Sequence, residues 1–317
     1  MSSTTTSHIP VLEKEVIEYL NIRPGGIYID ATLGGGGHSS SILRRAGREG
    51  IVLGIDKNPE AIALGEQLQK EARENDWGKL DLKQGNFADI VAHAASCQIE
   101  ACDGVLFDIG LSSDLLYSQK GFSVYDETSL DMRFGGEGEI TAQDIVNHSD
   151  EADLVFMFSH FGEEPYSKTI ARAIVAQRER TPFSTAADLS SVIKYAIPKK
   201  AVEKGKHPAR RVFQALRIVV NQEFASLQKG LDGAISLLRP GGRIVVISFH
   251  SLEDRMVKHI FKRASGICTC FLPRELCRCE TGKTIKVLTG KPVLPGPDEI
   301  QTNHRAHSAR LRAARKI

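Results

Sequence analysis

Long apolar stretches are absent from the sequence, and no run approaches the roughly 20 residues that a membrane-spanning helix requires. The opening residues, MSSTTTSHIP, have neither the basic start nor the apolar centre of a secretory signal. An excess of one charge is also lacking, because 41 Lys and Arg residues face 39 Asp and Glu residues. These absences predict a cytoplasmic enzyme with no membrane partner. The 317 residues are enough for one large domain or for a domain that carries an insertion.

Acidic residues are nearly missing from two segments of the chain. Residues 199–211 contain six Lys or Arg residues against one Glu, and residues 305–317 contain no acidic residue. Two basic clusters on a nearly neutral chain are typical of a surface that binds a polyanion. A solvated helix face and a frayed tail explain the two clusters equally well.

Cysteine is scarce, and four of the six cysteines fall within twelve residues: Cys268, Cys270, Cys277 and Cys279. Clustered thiols in a cytoplasmic chain indicate zinc rather than disulfides. The C-x-C spacing is tighter than the usual C-x2-C, however, and a loop with reduced thiols is the alternative. No metal is therefore assigned. Cys97 and Cys102 are isolated, and we expect them to act as small core residues.

Short apolar runs alternate with helical segments between residues 27 and 109. The runs that we interpret as strands are IYIDA, GIVLGID, LDLKQGNF and DGVLFDIG. A helix follows the second run, with Asn58 as its N-cap and Pro59 in its first turn. This alternation is typical of an α/β fold, with a mainly parallel sheet covered by helices on both faces.

No strand-like run occurs between about residues 118 and 211, where amphipathic helical segments predict an inserted helical subdomain. One segment opens with Thr185 and Asp188 in capping-box spacing. The sequence predicts one long helix over residues 212–238, followed by a buried strand at RIVVISF. The end of the chain is predicted to form a strand pair with a short basic helix. The predicted domains are a first core part at 8–117, the insertion at 118–211 and a second core part at 212–317.

The run of four glycines after the first strand predicts a ligand-binding turn. Gly34 and Gly36 fit the start of a dinucleotide fingerprint, but Ser39 takes the place of its third glycine. Asp30 beside the turn would repel a pyrophosphate and suits a cationic ligand such as S-adenosylmethionine. The alternative is that Asp30 caps the turn. Asp56, at the end of the second strand, is positioned for ribose hydroxyls of either ligand class.

Two further candidates follow the third and fourth strands. Phe87 lies where an aromatic ring could flank an adenine, although it could equally belong to the core. Asp108 follows four residues without charge, and an isolated buried carboxylate is costly. It lies at the carboxyl end of a strand, where open α/β sheets expose their sites. Asp108 is therefore the catalytic candidate.

Three blocks offer candidate substrate contacts, and each has a structural alternative. Asp131 and Arg133 could form a substrate-side loop or an ion pair between the insertion and the core. The block HPARRVFQALR could bind RNA phosphates, or it could be a solvated basic helix start; its candidates are His207, Arg210 and Arg211.

The block SFHSLEDR is the third of these. Ser251 and Asp254 have capping-box spacing, which would explain both without a function. No such explanation covers His250 or Glu253, so His250 is assigned to the target pocket.

Several long blocks resemble a known family: HIPVL, YIDATLGGGGHS, GIDKNPEAI, DIGLSS, HPARRVFQALRIVVNQE, ISFHSLEDRMVK and SARLRAA. The sequence is similar, from about His8 to its end, to the MraW-type bacterial 16S rRNA cytosine-N4 methyltransferases. The resemblance implies a Rossmann-like class I methyltransferase with an inserted helical subdomain and S-adenosylmethionine as cofactor. It also implies methylation of the exocyclic N4 of a cytidine in the decoding centre, on the small ribosomal subunit.

The resemblance also carries cofactor contacts onto this sequence: Gly36, Gly37, His38, Asp56, Phe87 and Asp108. One polar contact does not carry over, because the family usually has glutamine within SSPQLD and this chain has Leu115 within SSDLLY. Asp108, with the backbone carbonyl of Ile109, is expected to accept a hydrogen bond from the target amino group. The N/D-P-P-aromatic sequence of many amino-methyltransferases is absent, so a stacking aromatic must come from elsewhere, with Phe122 and Phe134 as candidates.

Three other functions are open from the sequence. A nicotinamide-dependent oxidoreductase would need a third small residue in the glycine turn and a proton donor in the catalytic loop. A non-catalytic ribosome-assembly factor would need the basic clusters but not acids at successive strand ends. A methyltransferase for DNA or for another RNA would have the same residues. The sequence gives no argument for or against a homo-oligomer.

Overall fold

The computed structural model contains two compact units, Met1–Gly110 with Ala225–Ile317, and Leu111–Phe224. They are called the sheet unit and the helical unit here. The structure describes residues 10–110, 119–135, 140–202, 205–270, 278–279 and 282–317. In these ranges, no helix is both long enough and apolar enough to cross a membrane.

The sheet unit is built from seven strands and the helices around them. The strands are β1 Ile27–Asp30, β2 Ile51–Asp56, β3 Lys79–Gln84, β4 Cys102–Ile109, β5 Leu238–Ser248, β6 Ile285–Val287 and β7 Arg310–Lys316. The helices are α1 Glu13–Leu20, α2 Gly37–Ala46, α3 Pro59–Glu74, α4 Ile90–Ser96, α10 Glu223–Leu237, α11 Ser251–Ala264 and α12 Pro297–Thr302. Asn58 caps α3 as predicted, with its side chain accepting a hydrogen bond from the Glu60 backbone N–H.

The sheet has the strand order β3-β2-β1-β4-β5-β7-β6. The first five strands run parallel, and β7 pairs antiparallel with both β5 and β6. Neighbouring strand residues face opposite sides of a sheet, and both sides are apolar here. Tyr28 packs in the cluster on one face and Ile29 in the cluster on the other, both fully buried. The predicted parallel α/β sheet is thus confirmed.

The register of the sheet brings three carboxylates to one edge. Asp30 lies opposite Gly54 of β2 and Leu106 of β4. Asp56 and Asp108 each come two residues further along these neighbouring strands. Because the three strands are parallel, all three acids lie at the carboxyl edge, with the glycine turn between them.

A strand pair and a short basic helix were predicted at the end of the chain, with a frayed tail as the alternative for residues 305–317. In the structure, residues 310–316 of this basic segment form the strand β7, which pairs with β6. Leu311, Ala313 and Ala314 are fully buried between β5 and β6. Arg312 is also buried, and its guanidinium donates to Asp254 of α11 over 2.5 Å (Nε–Oδ1) and 3.0 Å (Nη2–Oδ2). This ion pair allows a sequence with four Lys or Arg residues in seven to form an internal strand.

The helical unit contains α5 Ala142–His148, α6 Glu151–His160, α7 Ser167–Arg178, α8 Ala186–Ala196 and α9 Arg210–Val220. The predicted capping box of Thr185 and Asp188 opens α8. Residues of all five helices share one apolar core. The core includes Val212, Phe213 and Leu216 of α9, so α9 belongs to the helical unit. The second boundary therefore lies after Phe224, whereas the sequence analysis placed it after residue 211.

The long helix expected over residues 212–238 is two helices, α9 and α10. Asn221 and Gln222 separate them, and Gln222 has a left-handed backbone with a φ of 49°. The Asn221 side chain accepts from the Phe134 backbone N–H at 2.8 Å and donates to the Met132 carbonyl at 2.8 Å. These bonds to another segment stabilise the break, and helical periodicity gives no sign of them.

Candidate active site

The glycine turn between β1 and α2 has a backbone that only glycine adopts readily. Gly34 and Gly36 have φ values of 50° and 76°, in the left-handed region. A Cβ atom on Gly36 would lie 3.0 Å from a methyl carbon of Leu68. The helix α2 begins at Gly37, so its first N–H groups face the end of the turn. The backbone of this turn therefore requires glycine at positions 34 and 36.

Asp30 holds this turn together from inside. It is 1% exposed, and its carboxylate accepts hydrogen bonds from the Ser39 hydroxyl at 2.7 Å and the Thr32 backbone N–H at 3.3 Å. Burial raises the pKa of Asp30 to about 6, against the lowering effect of these bonds and of His38. Of the two interpretations given for Asp30, the structure supports the cap. Ser39, in place of a third glycine, supplies one of its donors.

Asp56 joins the turn to the second strand. Its carboxylate accepts from the Gly34 backbone N–H at 2.9 Å and from the Asn58 backbone N–H at 2.8 Å. Burial raises its pKa above the ordinary value. Each carboxylate oxygen has a second lone pair, so both can also accept a hydrogen bond from a ligand hydroxyl.

His38 and Asp108 face each other across the turn. The distance from His38 Nε2 to Asp108 Oδ2 is 3.6 Å, too long for a hydrogen bond. Burial lowers the pKa of His38, whereas the charges of Asp108, Asp30 and Glu13 raise it, and the resulting pKa lies above the ordinary value. A Thr32 hydroxyl 2.6 Å from the Asp108 backbone nitrogen fixes the main chain there.

Three buried polar atoms of this pair have no hydrogen-bond partner among the residues that the structure describes. They are both ring nitrogens of His38 and Oδ1 of Asp108. Buried polar atoms are normally paired, so such a cluster indicates a place for a ligand. A ligand with a donor for the carboxylate and a positive charge near the acids matches this set of groups.

Phe87 begins a short 3-10 turn after β3. Asn86 caps the turn by accepting from the Ala88 backbone N–H at 3.0 Å, and it donates to the Ser226 hydroxyl at 2.9 Å. The Phe87 ring packs edge-on against Phe107, with 5.5 Å between the centroids. Phe87 is only partly buried and packs against the core cluster of the sheet unit.

The helical unit holds the other candidate residues, and Asp131 and Arg133 form an ion pair within it. The Arg133 side chain donates to both Asp131 oxygens, at 2.6 Å and 2.8 Å. The ion pair thus joins two residues of the insertion, which differs from the alternative of a pair between insertion and core. Phe122 and Phe134 stack on each other with centroids 5.6 Å apart, and Phe122 is buried in the helical core.

His207, Arg210 and Arg211 line one groove of the helical unit together with Lys206, Tyr166 and Glu164. His207 Nδ1 accepts from the Ala209 backbone N–H at 3.2 Å. The ring of Tyr125, 75% exposed, lies edge-on to His207 with centroids 5.4 Å apart. Burial and the nearby Lys194 lower the pKa of His207. This combination of cations and an exposed aromatic ring suits a nucleic acid.

His250 has a structural role that the sequence analysis missed. It is the N-cap of α11, where its side chain accepts from the Glu253 N–H and the Glu253 carboxylate accepts from the His250 N–H. The capping box is therefore formed by His250 and Glu253, one residue before the expected pair of Ser251 and Asp254. Asp254 pairs with Arg312 instead.

Other residues fall outside these interpretations. Ser112, Ser113, Leu115 and Cys277 lie outside the described residues. Thr32 and Tyr125 were missed, although both contact predicted site residues. A hydroxyl two positions after Asp30 is a sequence signal for Thr32, whereas Tyr125 approaches His207 only through the fold.

The stability of the protein as a function of pH tests the surroundings of Asp30. The folded chain holds the Asp30 proton with a pKa of about 6, against 3.8 ordinarily. We therefore expect the free energy of unfolding to fall by about 3 kcal/mol as the pH rises from about 4 to 6, and Asp30→Asn to lack this component. Urea unfolding followed by the fluorescence of the single tryptophan, Trp77, measures both proteins. If the difference in the free energy of unfolding between the unchanged protein and Asp30→Asn stays constant from about pH 4 to 6, the assignment to Asp30 is contradicted.

Known proteins match the chain over nearly its whole length. The model of the MraW methylase family matches residues 5–317. The protein of Carboxydothermus hydrogenoformans named ribosomal RNA small subunit methyltransferase H is 47% identical to this chain, over 98% of both chains. The identity is also 47% for the protein of Geotalea daltonii, over 98% of both chains, and 40% for that of Clostridioides difficile, over 98% of this chain and 99% of the other. The chain therefore belongs to the MraW methylase family, and its cofactor is S-adenosylmethionine.

Proposed function

We propose that the protein methylates the exocyclic N4 of a cytidine in the decoding centre of 16S rRNA, on the small ribosomal subunit in the cytoplasm. The observation that carries the proposal is the pair of buried His38 and partly exposed Asp108, whose polar atoms converge beside the glycine turn. The relatives' names support rRNA of the small subunit as substrate. The N4 position rests on the resemblance of the sequence to the MraW-type cytosine-N4 methyltransferases, and the chemistry below is compatible with it.

The cofactor-binding residues are proposed from the same edge of the sheet. Bound S-adenosylmethionine supplies an electrophilic methyl group on a sulfonium. Gly36 and Gly37 let the backbone approach its methionine end, and His38 lies beside them. Asp56 accepts from the ribose hydroxyls with its remaining lone pairs. The Phe87 ring flanks the adenine.

Asp108 is proposed to act on the target amino group. Cytosine N4 is a poor nucleophile because its lone pair is delocalised into the ring. A carboxylate that accepts a hydrogen bond from N4 favours a pyramidal nitrogen, and a fixed position in line with the methyl group supplies the orientation. The Asp108 carboxylate is the acceptor, with the Ile109 carbonyl as a second one. The N4 nitrogen becomes positively charged and strongly acidic on methyl transfer, and it then loses its proton to solvent water.

The helical unit is proposed to bind the RNA around the target. Its groove presents Lys206, Arg210 and Arg211 for phosphates, and Tyr125 and His207 as rings beside them. The target base must be unstacked, because an enzyme cannot reach N4 inside a helix. His250, which caps α11, is proposed to form part of the pocket for the target cytosine.

Transfer of labelled methyl to small ribosomal subunits that lack the modification tests the proposal. We expect one methyl group on N4 of a single decoding-centre cytidine, located by mass spectrometry of RNA fragments. Arg210→Gln should raise KM for subunits. It should also reduce the slope of log binding constant against log salt concentration by about one, the effect of one lost phosphate contact. The matched control is Arg172→Gln, an exposed cation of α7 outside the groove. Tight cofactor binding without transfer to the subunits would overturn the proposed substrate.

A further inference from the structure

The segment that connects α11 to β6 is closed at its base. Thr284 donates from its backbone N–H to the Ala264 carbonyl at 2.8 Å, and Ser265 forms a β-bridge with Lys283. Between these points, the described residues 266–270, 278–279 and 282 have no helix or strand.

Three cysteine thiols converge within this segment. The sulfur atoms of Cys268, Cys270 and Cys279 all lie within 4.8 Å of one another. Cys268 and Cys270 come soon after α11, whereas Cys279 comes from the part of the segment that returns to β6. The Cys270 backbone N–H also points at the Cys268 sulfur, at 3.3 Å, and such a bond favours a thiolate. Residues from both parts of the segment therefore meet at one point.

We propose that this cluster binds a structural Zn²⁺ ion through the thiolates of Cys268, Cys270 and Cys279. Zinc takes thiolate ligands at about 2.3 Å in tetrahedral sites, which places their sulfurs about 3.8 Å apart. The sulfurs of Cys268 and Cys270 are 3.1 Å apart, so this pair would separate slightly when the ion binds. Soft thiolate ligands exclude Mg²⁺ and Ca²⁺, which take oxygen ligands.

The charges around the cluster suit this assignment. The three thiolates with one Zn²⁺ carry a net charge of −1, because each thiol releases its proton on binding. Basic residues surround the cluster in the sequence, with Lys262 and Arg263 in the last turn of α11 and Arg278 and Lys283 beside the returning cysteine. The ion joins the two parts of the segment and thereby fixes the approach to β6. It does not contribute to the chemistry at Asp108.

Metal analysis of the full chain tests the proposal. Protein purified under reducing conditions without chelators is expected to contain one zinc ion per chain, as measured by inductively coupled plasma mass spectrometry. The zinc content per chain of the double variant Cys268→Ser/Cys279→Ser should fall by about tenfold or more, whereas that of the matched control Cys97→Ser should not change. Cobalt in place of zinc should show the intense visible absorption of a tetrahedral thiolate site, and this absorption should vanish in the double variant.

Binding of S-adenosylmethionine shows whether the double variant is folded, since its proposed contacts lie elsewhere in the sheet unit. Loss of zinc with unchanged cofactor affinity supports a local metal site. Three results would overturn the proposal: protein without zinc, zinc that persists in the double variant, or iron in its place. A disulfide among these cysteines in freshly prepared protein would do so as well.

Discussion

Asp108→Asn is expected to lower kcat for methyl transfer by about 10²–10³-fold. The asparagine keeps the shape of the side chain but loses the negative charge that draws hydrogen-bond donation from the target amino group. The backbone at this position is held by Thr32 through a 2.6 Å contact, so the main chain should not move. Single-turnover transfer of labelled methyl to unmodified subunits measures the change directly.

Cofactor affinity separates a catalytic role from a structural one in this variant. We expect the Kd for S-adenosylmethionine, measured by calorimetry, to change by less than about tenfold, the effect of one weakened polar contact. The matched control is Asp81→Asn on the edge strand β3, whose carboxylate pairs with Lys79 on the surface. Full turnover in the Asp108 variant with intact cofactor affinity would refute the assignment of Asp108.

Arg312→Met is expected to lower the free energy of unfolding of the sheet unit by about 3–5 kcal/mol. The substitution leaves the buried Asp254 carboxylate without its bidentate partner, and a buried charge without a partner is costly. Arg310, 3.5 Å from the same carboxylate but more exposed, compensates only in part. Urea unfolding followed by Trp77 fluorescence reports on this unit.

The partner residue provides the decisive comparison for this prediction. If the lost stability comes from the uncompensated charge, the double variant Arg312→Met/Asp254→Leu should recover most of it. Arg315→Met on the same strand is the control, because Arg315 is exposed and its loss should change stability by less than about 0.5 kcal/mol. Equal destabilisation by Arg312→Met and Arg315→Met would show that the ion pair is not the cause.

The parallel sheet and its acidic edge could be predicted because local signals and topology agree. Apolar runs, helix caps and glycines marked the strands and turns, and parallel strands bring their carboxyl ends together. From these signals, Asp30, Asp56 and Asp108 are predicted to lie at the carboxyl edge of the sheet. The contact between His38 and Asp108 could not be predicted in the same way, because it depends on side-chain direction across the turn.

The errors came from long-range pairs that override local patterns. The sequence of β7 resembles a solvated basic segment until Asp254 compensates Arg312 in the interior. The break between α9 and α10 depends on bonds from Asn221 to residues almost ninety positions away. The capping role of His250 was also missed, because histidine is an uncommon N-cap compared with serine or aspartate.

The interruption of the sheet unit by the helical unit has a consequence for folding. Strands β4 and β5 pair directly, but 128 residues separate Ile109 from Leu238, and the cost in chain entropy of joining them rises with the length of disordered chain between them. The helical unit is continuous in sequence and has its own apolar core, so it can form before that pairing. Once formed, it shortens the disordered connection. We therefore expect early collapse of the insertion to accelerate completion of the sheet.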